Sequence, residues 1–239
     1  MQIRRVLIVG SSVALRVRPP RRERSYNFNY ASLIETYLNK DESDDSLWIV
    51  ENKGFTRAIT RDILRLKDDI SSSGASVVIL NLGAVDAPTR EIPLWYSDLI
   101  SVKKKGKVSY HLFNLLHGAL FKGVLRPFIV KLRGKRAWTS KKKFERDINE
   151  ILDHINKDTC SKIIILGINS GNERIEKKLP GTISNYKVYN DILRKISEER
   201  SIDFVDVRDL NSKDHFPDGV HYNYDGHKEI SDRILNLIR

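Results

Sequence analysis

The chain has 239 residues, 40% of them hydrophobic and 31% charged, with a net charge of +11. These values fit a globular protein able to bury one core and exclude a disordered or collagen-like chain. The single cysteine, Cys160, excludes an internal disulfide framework, and neither a signal peptide nor an apolar run of about 18 residues is visible, so a cytoplasmic protein is expected.

The first apolar run, "RVLIV" (5–9), reads as a strand that ends in Gly10-Ser11-Ser12. Glycine there permits a tight turn, and the residues after it can aim backbone N–H groups at an anion. Arg16 and Arg18 follow, and Pro19-Pro20 keeps a helix from starting normally. That stretch should lie extended beside Ser12, where arginine forks can pair with carboxylate or phosphate. A helical pattern, "YASLIETYL" (30–38), leads to a second strand, "LWIVEN" (47–52), whose exit "NKGFTR" carries Gly54. The pattern "TRDILRLKDDI" (60–70) reads as one helix before a third strand, "SVVILNL" (76–82). After that strand comes "GAVD", residues 83–86, with Arg90 expected on the same rim.

The rhythm then breaks. Residues 89–143 read as an insertion, with apolar Leu112, Leu115, Leu116, Ala119 and Leu120 at helical spacing. Fourteen lysines and arginines against one acid, Glu145, crowd into residues 101–146, so this segment alone carries more positive charge than the whole chain nets. It reads either as a helical lid with a solvated basic edge or as an amphipathic surface for anionic lipid or an anionic substrate. Nucleic acid is disfavoured, since aromatics are few and no binding motif appears. Helix, strand, helix and strand follow as 144–155, "KIIILGI" (162–168), 188–199 and "DFVDV" (203–207), and a helix at 226–238 closes the chain. Strands that are mostly apolar throughout and alternate with helices describe one domain over 1–239. Its class is α/β: three layers around a doubly wound, five-stranded parallel sheet with a basic helical insertion.

Before the last helix lies "HFPDGVHYNYDGH". Asp218 and His221 stand three apart, so the carboxylate can hold one ring nitrogen and leave the other as a general base. Ser12 would supply the hydroxyl, as nucleophile, from the end of the first strand. His215 lacks this spacing, and His227 at the opening of the last helix reads as a cap or a solvent-facing residue. A metal site at His215, Asp218 and His221 finds no second ligand cluster, so neither metal nor cofactor is expected.

Taken in order, these strand ends resemble the four sequence blocks of the SGNH/GDSL hydrolase superfamily. Gly10-Ser11-Ser12 is similar to its Gly-Asp-Ser, Gly54 to its second-block glycine, "GAVD" to Gly-x-Asn-Asp, and Asp218-Gly-Val-His221 to Asp-x-x-His. The resemblance implies a flavodoxin-like sheet, Ser12, His221 and Asp218 as catalytic residues, and the N–H groups of Ser12 and Gly54 as an oxyanion hole. It departs at Ser11, in place of aspartate, and at Val85, in place of the asparagine that donates to the oxyanion. Asn81 or a lid residue is a candidate replacement donor, while Asp86 reads as holding a loop. The resemblance implies an esterase or acyltransferase; Arg16, Arg18 and Arg90 add an acylated anionic small molecule, carbohydrate or lipid-linked glycan as its substrate. The alternative is an SGNH-fold module that binds an anionic glycan, lipid headgroup or protein partner without turnover. Peripheral contact with an anionic membrane surface is a further expectation from the basic segment.

Overall fold

A computed structural model of the chain describes residues 2–15, 17–18, 28–40, 45–102, 118, 125–158 and 162–238. Arg16, Cys160 and most of the basic segment, residues 103–117 and 119–124, lie outside the described residues.

Five parallel strands form one sheet in the order β2-β1-β3-β4-β5. They run Gln2–Ser11 (β1), Ser46–Phe55 (β2), Val77–Asn81 (β3), Lys162–Leu166 (β4) and Asp203–Val205 (β5). All five coincide with apolar runs in the sequence, because a strand covered on both faces must be apolar on both. Val6, Leu7, Ile8 and Val9 of β1 and all five residues of β3 are buried. β2 is an edge strand, and it shows the exception: Trp48 is buried while Leu47 and Ile49 are exposed.

Helices Tyr30–Leu38 and Tyr224–Ile238 pack together on one face. Helices Thr60–Leu64, Lys67–Ser71, Lys141–Asp158 and Thr182–Arg200 form the other layer. The helix expected over 60–70 is thus two. Leu66 N donates to Ile63 O at 2.8 Å, a tight turn that separates the pieces while Ile63 and Ile70 both stay buried. Asn29 caps the first helix by accepting from Ser32 N at 3.0 Å.

The segment expected as a lid begins and ends inside the body of the protein. Ala87, Thr89 and Thr139 are buried, Thr89 bridges Ala137, and Thr89 N donates to Thr182 Oγ1 at 3.3 Å. Between these anchors run helices Leu94–Val102 and Arg126–Leu132. No helix among the described residues is long and apolar enough to cross a membrane.

The strand order reverses between β1 and β3, because the chain goes first to β2 on one side and then to β3 on the other. In doubly wound sheets ligands bind outside the carboxyl ends of strands at such a switch point. Ser12 leaves β1 there.

Candidate active site

The site is built from two tight turns at opposite ends of the sequence. At the first, Ala14 N donates to Ser11 O at 3.1 Å and Leu15 N to Ser12 O at 3.2 Å. Asn52 of β2 holds this turn from the side, its Nδ2 donating to Ala14 O at 2.9 Å. Gly10 is required by close approach: a Cβ there would sit 2.5 Å from the carbonyl oxygen of Asn81 on β3. Such contact is far inside van der Waals separation, so only glycine lets β1 and β3 pair up to the serine.

The second turn is Asp218-Gly-Val-His221. Asp218 Oδ1 accepts from Val220 N at 2.9 Å and from His221 N at 2.7 Å. Gly219 sits at φ 85°, left-handed space that other residues seldom occupy. Asn169, just beyond β4, donates from Nδ2 to Val220 O at 2.9 Å and ties the turn to the sheet.

These turns bring three side chains into one line. Ser12 Oγ lies 3.0 Å from His221 Nε2, and His221 Nδ1 lies 3.0 Å from Asp218 Oδ2. Burial opposes ionisation of Asp218, but the bonds it accepts from the His221 ring and from the His221 and Val220 N–H groups outweigh this and hold its carboxyl well below the ordinary range. An ionised carboxylate only accepts, so Nδ1 carries the proton and donates to it. Nε2 is then left as an acceptor facing the Ser12 hydroxyl. This is the arrangement that activates a serine nucleophile.

The arginines are placed differently from the sequence-based expectation. Arg18 Nε lies 2.7 Å from Asp218 Oδ2, and Arg18 N donates to Tyr222 O at 2.7 Å. Its charge is spent on the carboxylate that also serves His221. Arg90 does not stand on the rim as expected. Its Nη2 donates to Val85 O at 3.0 Å and its guanidinium lies 4.1 Å from the centroid of the Trp138 ring. Burial pushes this guanidinium down to about 10, which leaves it charged at neutral pH. Arg16 is outside the described residues.

The oxyanion side departs from expectation as well. β2 continues through Gly54 to Phe55, so Gly54 is inside the strand, in register with Gly10, and not in a loop after it. Val85 is buried. Asn81 is turned away from a substitute role, its Nδ2 donating to Tyr30 OH at 3.1 Å. Asp86 is buried and holds loops together, accepting from Thr60 N, Thr60 Oγ1 and Thr139 Oγ1 at 3.0, 2.9 and 2.6 Å. His227 is fully buried, contrary to its reading as a cap or surface residue. It stacks on Tyr30 and accepts from Tyr30 N at 3.2 Å. His215 is set against Asn211 O at 3.1 Å.

Asn169, Arg57 and Trp138 carry no motif, and the sequence reading passed over them. Asn169 follows a strand end by three residues, which was the one available signal.

The same fold occurs in solved esterases and acylhydrolases at low sequence identity. A lipase/acylhydrolase from Enterococcus faecalis superposes with a TM-score of 0.62 at 14% identity, covering 98% of this chain and 95% of its own. A catalytic mutant of an acetylxylan esterase from Geobacillus stearothermophilus gives 0.62 at 16%, covering 98% and 93%. A carbohydrate acetylesterase family member from Sinorhizobium meliloti gives 0.61 at 13%, covering 99% and 97%. No protein-family model and no curated protein matches the sequence.

Proposed function

We propose that this chain, which has the fold of the SGNH/GDSL hydrolases, is a serine esterase or acyltransferase acting on an acylated, anionic carbohydrate or lipid-linked glycan. The observation that carries the reading is the Ser12–His221–Asp218 line, with both of its hydrogen-bond distances at 3.0 Å. In it, Ser12 Oγ attacks the acyl carbonyl while its proton passes to His221 Nε2. Asp218 holds the ring and stabilises the imidazolium that forms. Collapse of the tetrahedral intermediate expels the alcohol, which takes the proton back from Nε2, and leaves the acyl group on Ser12. Water or an acceptor hydroxyl then attacks the acyl-enzyme by the same proton route, giving hydrolysis or transfer.

The oxyanion is assigned to the N–H groups of Ser12 and Gly54, the latter from inside β2, where it is level with Gly10. With Val85 in place of a donor, the site runs on one fewer hydrogen bond, a deficit of roughly 10²–10³ in rate in comparable sites. Val85 is also the observation that favours a second reading, a binding module without turnover.

Labelling with a fluorophosphonate separates the two. The expected result is covalent labelling of the wild type that vanishes in both Ser12→Ala and His221→Ala. Folded wild type that stays unlabelled at high probe concentration would refute the esterase reading and favour the binding module.

A further inference from the structure

Just past β2 the chain adopts a conformation that residues with side chains seldom tolerate: Arg57 has φ 67°. The residue is exposed, yet its side chain is fixed. Nη2 donates to Ser97 Oγ at 2.7 Å, and the guanidinium lies 5.4 Å from the Trp138 centroid. Among the described residues no carboxylate forms an ion pair with it, although neighbouring Arg61 reaches both Asp62 and Asp98. Backbone strain retained around an ordered, unneutralised guanidinium points to a ligand that supplies the missing anion.

Arg57 forms one wall of a cleft of about 200 Å³ shared with Arg61, Asp62, Ser97, Asp98 and Trp138. By register, its Arg57 wall starts from the strand next to the one that carries Ser12. Phe55 pairs with Ser11, so Arg57 and Ser12 leave adjacent strands within two residues of that pair. Its walls are fixed in place. Asp86 accepts from Thr60, the first residue of the helix that follows Arg57, and from Thr139, next to Trp138. Arg90 lies over the same indole and bonds to Val85 O, so the cleft is built against the residue that stands where the block-three asparagine would.

The opposite wall limits the charge of the ligand. Asp62 and Asp98 both line it, and among the described residues Asp98, half exposed, pairs only with Arg61, at 3.3 Å. It opposes a second negative charge and accepts hydrogen bonds from hydroxyl groups. A single carboxylate on a hydroxylated ring satisfies both walls; a phosphate dianion does not.

We infer that this cleft binds the carboxylate-bearing sugar unit of the substrate, a uronic acid, with Arg57 on the carboxylate and Asp98 on ring hydroxyls. The inference rests on the acyl-transfer reading for why such a unit should lie beside Ser12, but binding is measurable without turnover.

The test titrates D-glucuronate, glucose and glucose 6-phosphate against wild type, Arg57→Gln, Arg57→Gly and Trp138→Phe, following tryptophan emission and heat. Arg57→Gly relieves the backbone strain, so lost binding in it is not lost folding. Expected are saturable binding of glucuronate, binding of glucose and glucose 6-phosphate weaker by at least about tenfold, and a similar loss for glucuronate in both Arg57 variants. Trp138→Phe should remove most of the emission change. Equal binding of glucuronate and glucose, or no binding of glucuronate, or unchanged affinity in Arg57→Gly, would overturn the inference. Fluorophosphonate labelling of the same samples keeps the two ideas apart. A labelled wild type without glucuronate binding sinks the cleft alone, and an unlabelled one that binds glucuronate through Arg57 sinks the esterase alone.

Discussion

Replacing Asp86 should reveal how much of the fold hangs on one buried carboxylate. Its Oδ1 accepts from Thr60 N, Thr60 Oγ1 and Thr139 Oγ1, and Oδ2 lies 3.2 Å from Thr60 N. Asp86→Ala leaves three donors without an acceptor. The two hydroxyls can rotate toward other partners, but the Thr60 N–H cannot. At roughly 1–3 kcal/mol for each stranded buried group, and with relief of the carboxylate's own desolvation to set against it, the net loss is about 3 kcal/mol. Asp86→Asn keeps Oδ1 and should lose only about 1 kcal/mol, for an NH₂ group placed beside Thr60 N. A second signature is pH-dependent. Burial raises the Asp86 carboxyl above its ordinary value, against the bonds from Thr139 and Thr60 that lower it. The folded state therefore keeps a proton over a range in which the unfolded chain has released it, and this contribution to stability falls as pH rises through that range. Asparagine has no proton to lose. The gap between wild type and Asp86→Asn should therefore narrow from about pH 4 upward. Urea unfolding followed by circular dichroism at several pH values measures both effects. An alanine variant within about 0.5 kcal/mol of wild type, or a gap that widens with pH, would refute the assignment.

Two other substitutions probe the turns that carry the triad. Arg18→Gln takes away the guanidinium that holds Asp218 Oδ2, the oxygen that also serves His221; fluorophosphonate labelling is expected to slow as the carboxylate loses this brace. An unchanged labelling rate would show that the Arg18 pair is a surface contact only. Gly10→Ala drives a methyl group to within 2.5 Å of the Asn81 carbonyl oxygen, so β1 and β3 must separate where Ser12 begins. A loss of about 1–3 kcal/mol in urea unfolding is expected together with slower labelling, and a variant equal to wild type in both would show that the strand ends are looser than described.

The strands were legible because the central ones, β1, β3 and β4, need apolar side chains on both faces, and even the edge strands keep short apolar runs that stand clear of the sequence around them. Ser12, Asp218 and His221 were singled out for a related reason: a turn that exposes a side chain at a strand end leaves local marks, a glycine before the serine and a three-residue step from carboxylate to imidazole. Gly54 carried the same mark and was misplaced by it. A glycine inside an edge strand looks, in sequence, like a glycine after one, and the difference lies in pairing with Gly10. His227 was misplaced because helix position was weighed without the partners Tyr30 and Tyr222, which flank it. The split of the helix over 60–70 left no mark at all, since Arg65 and Leu66 are good helix formers and a tertiary turn overrides them.

The arginines expose a deeper limit. Arg18 and Arg90 were assigned to substrate because they follow strand ends, and position along the chain could say no more. A guanidinium extends far enough to choose among several partners, and that choice depends on residues remote in sequence: Asp218 for Arg18, and Val85 with Trp138 for Arg90. In each case the nearest stationary acceptor took the charge, leaving it to brace the triad or the block-three turn. Arg57 differs because its own backbone is strained and its side chain found a hydroxyl and a ring in place of a carboxylate. Strain at one φ angle has no sequence signature for an ordinary residue. Of these three arginines, Arg57 alone lines an open cleft while forming no ion pair among the described residues, which is why the proposed ligand is placed on it and not on Arg18 or Arg90.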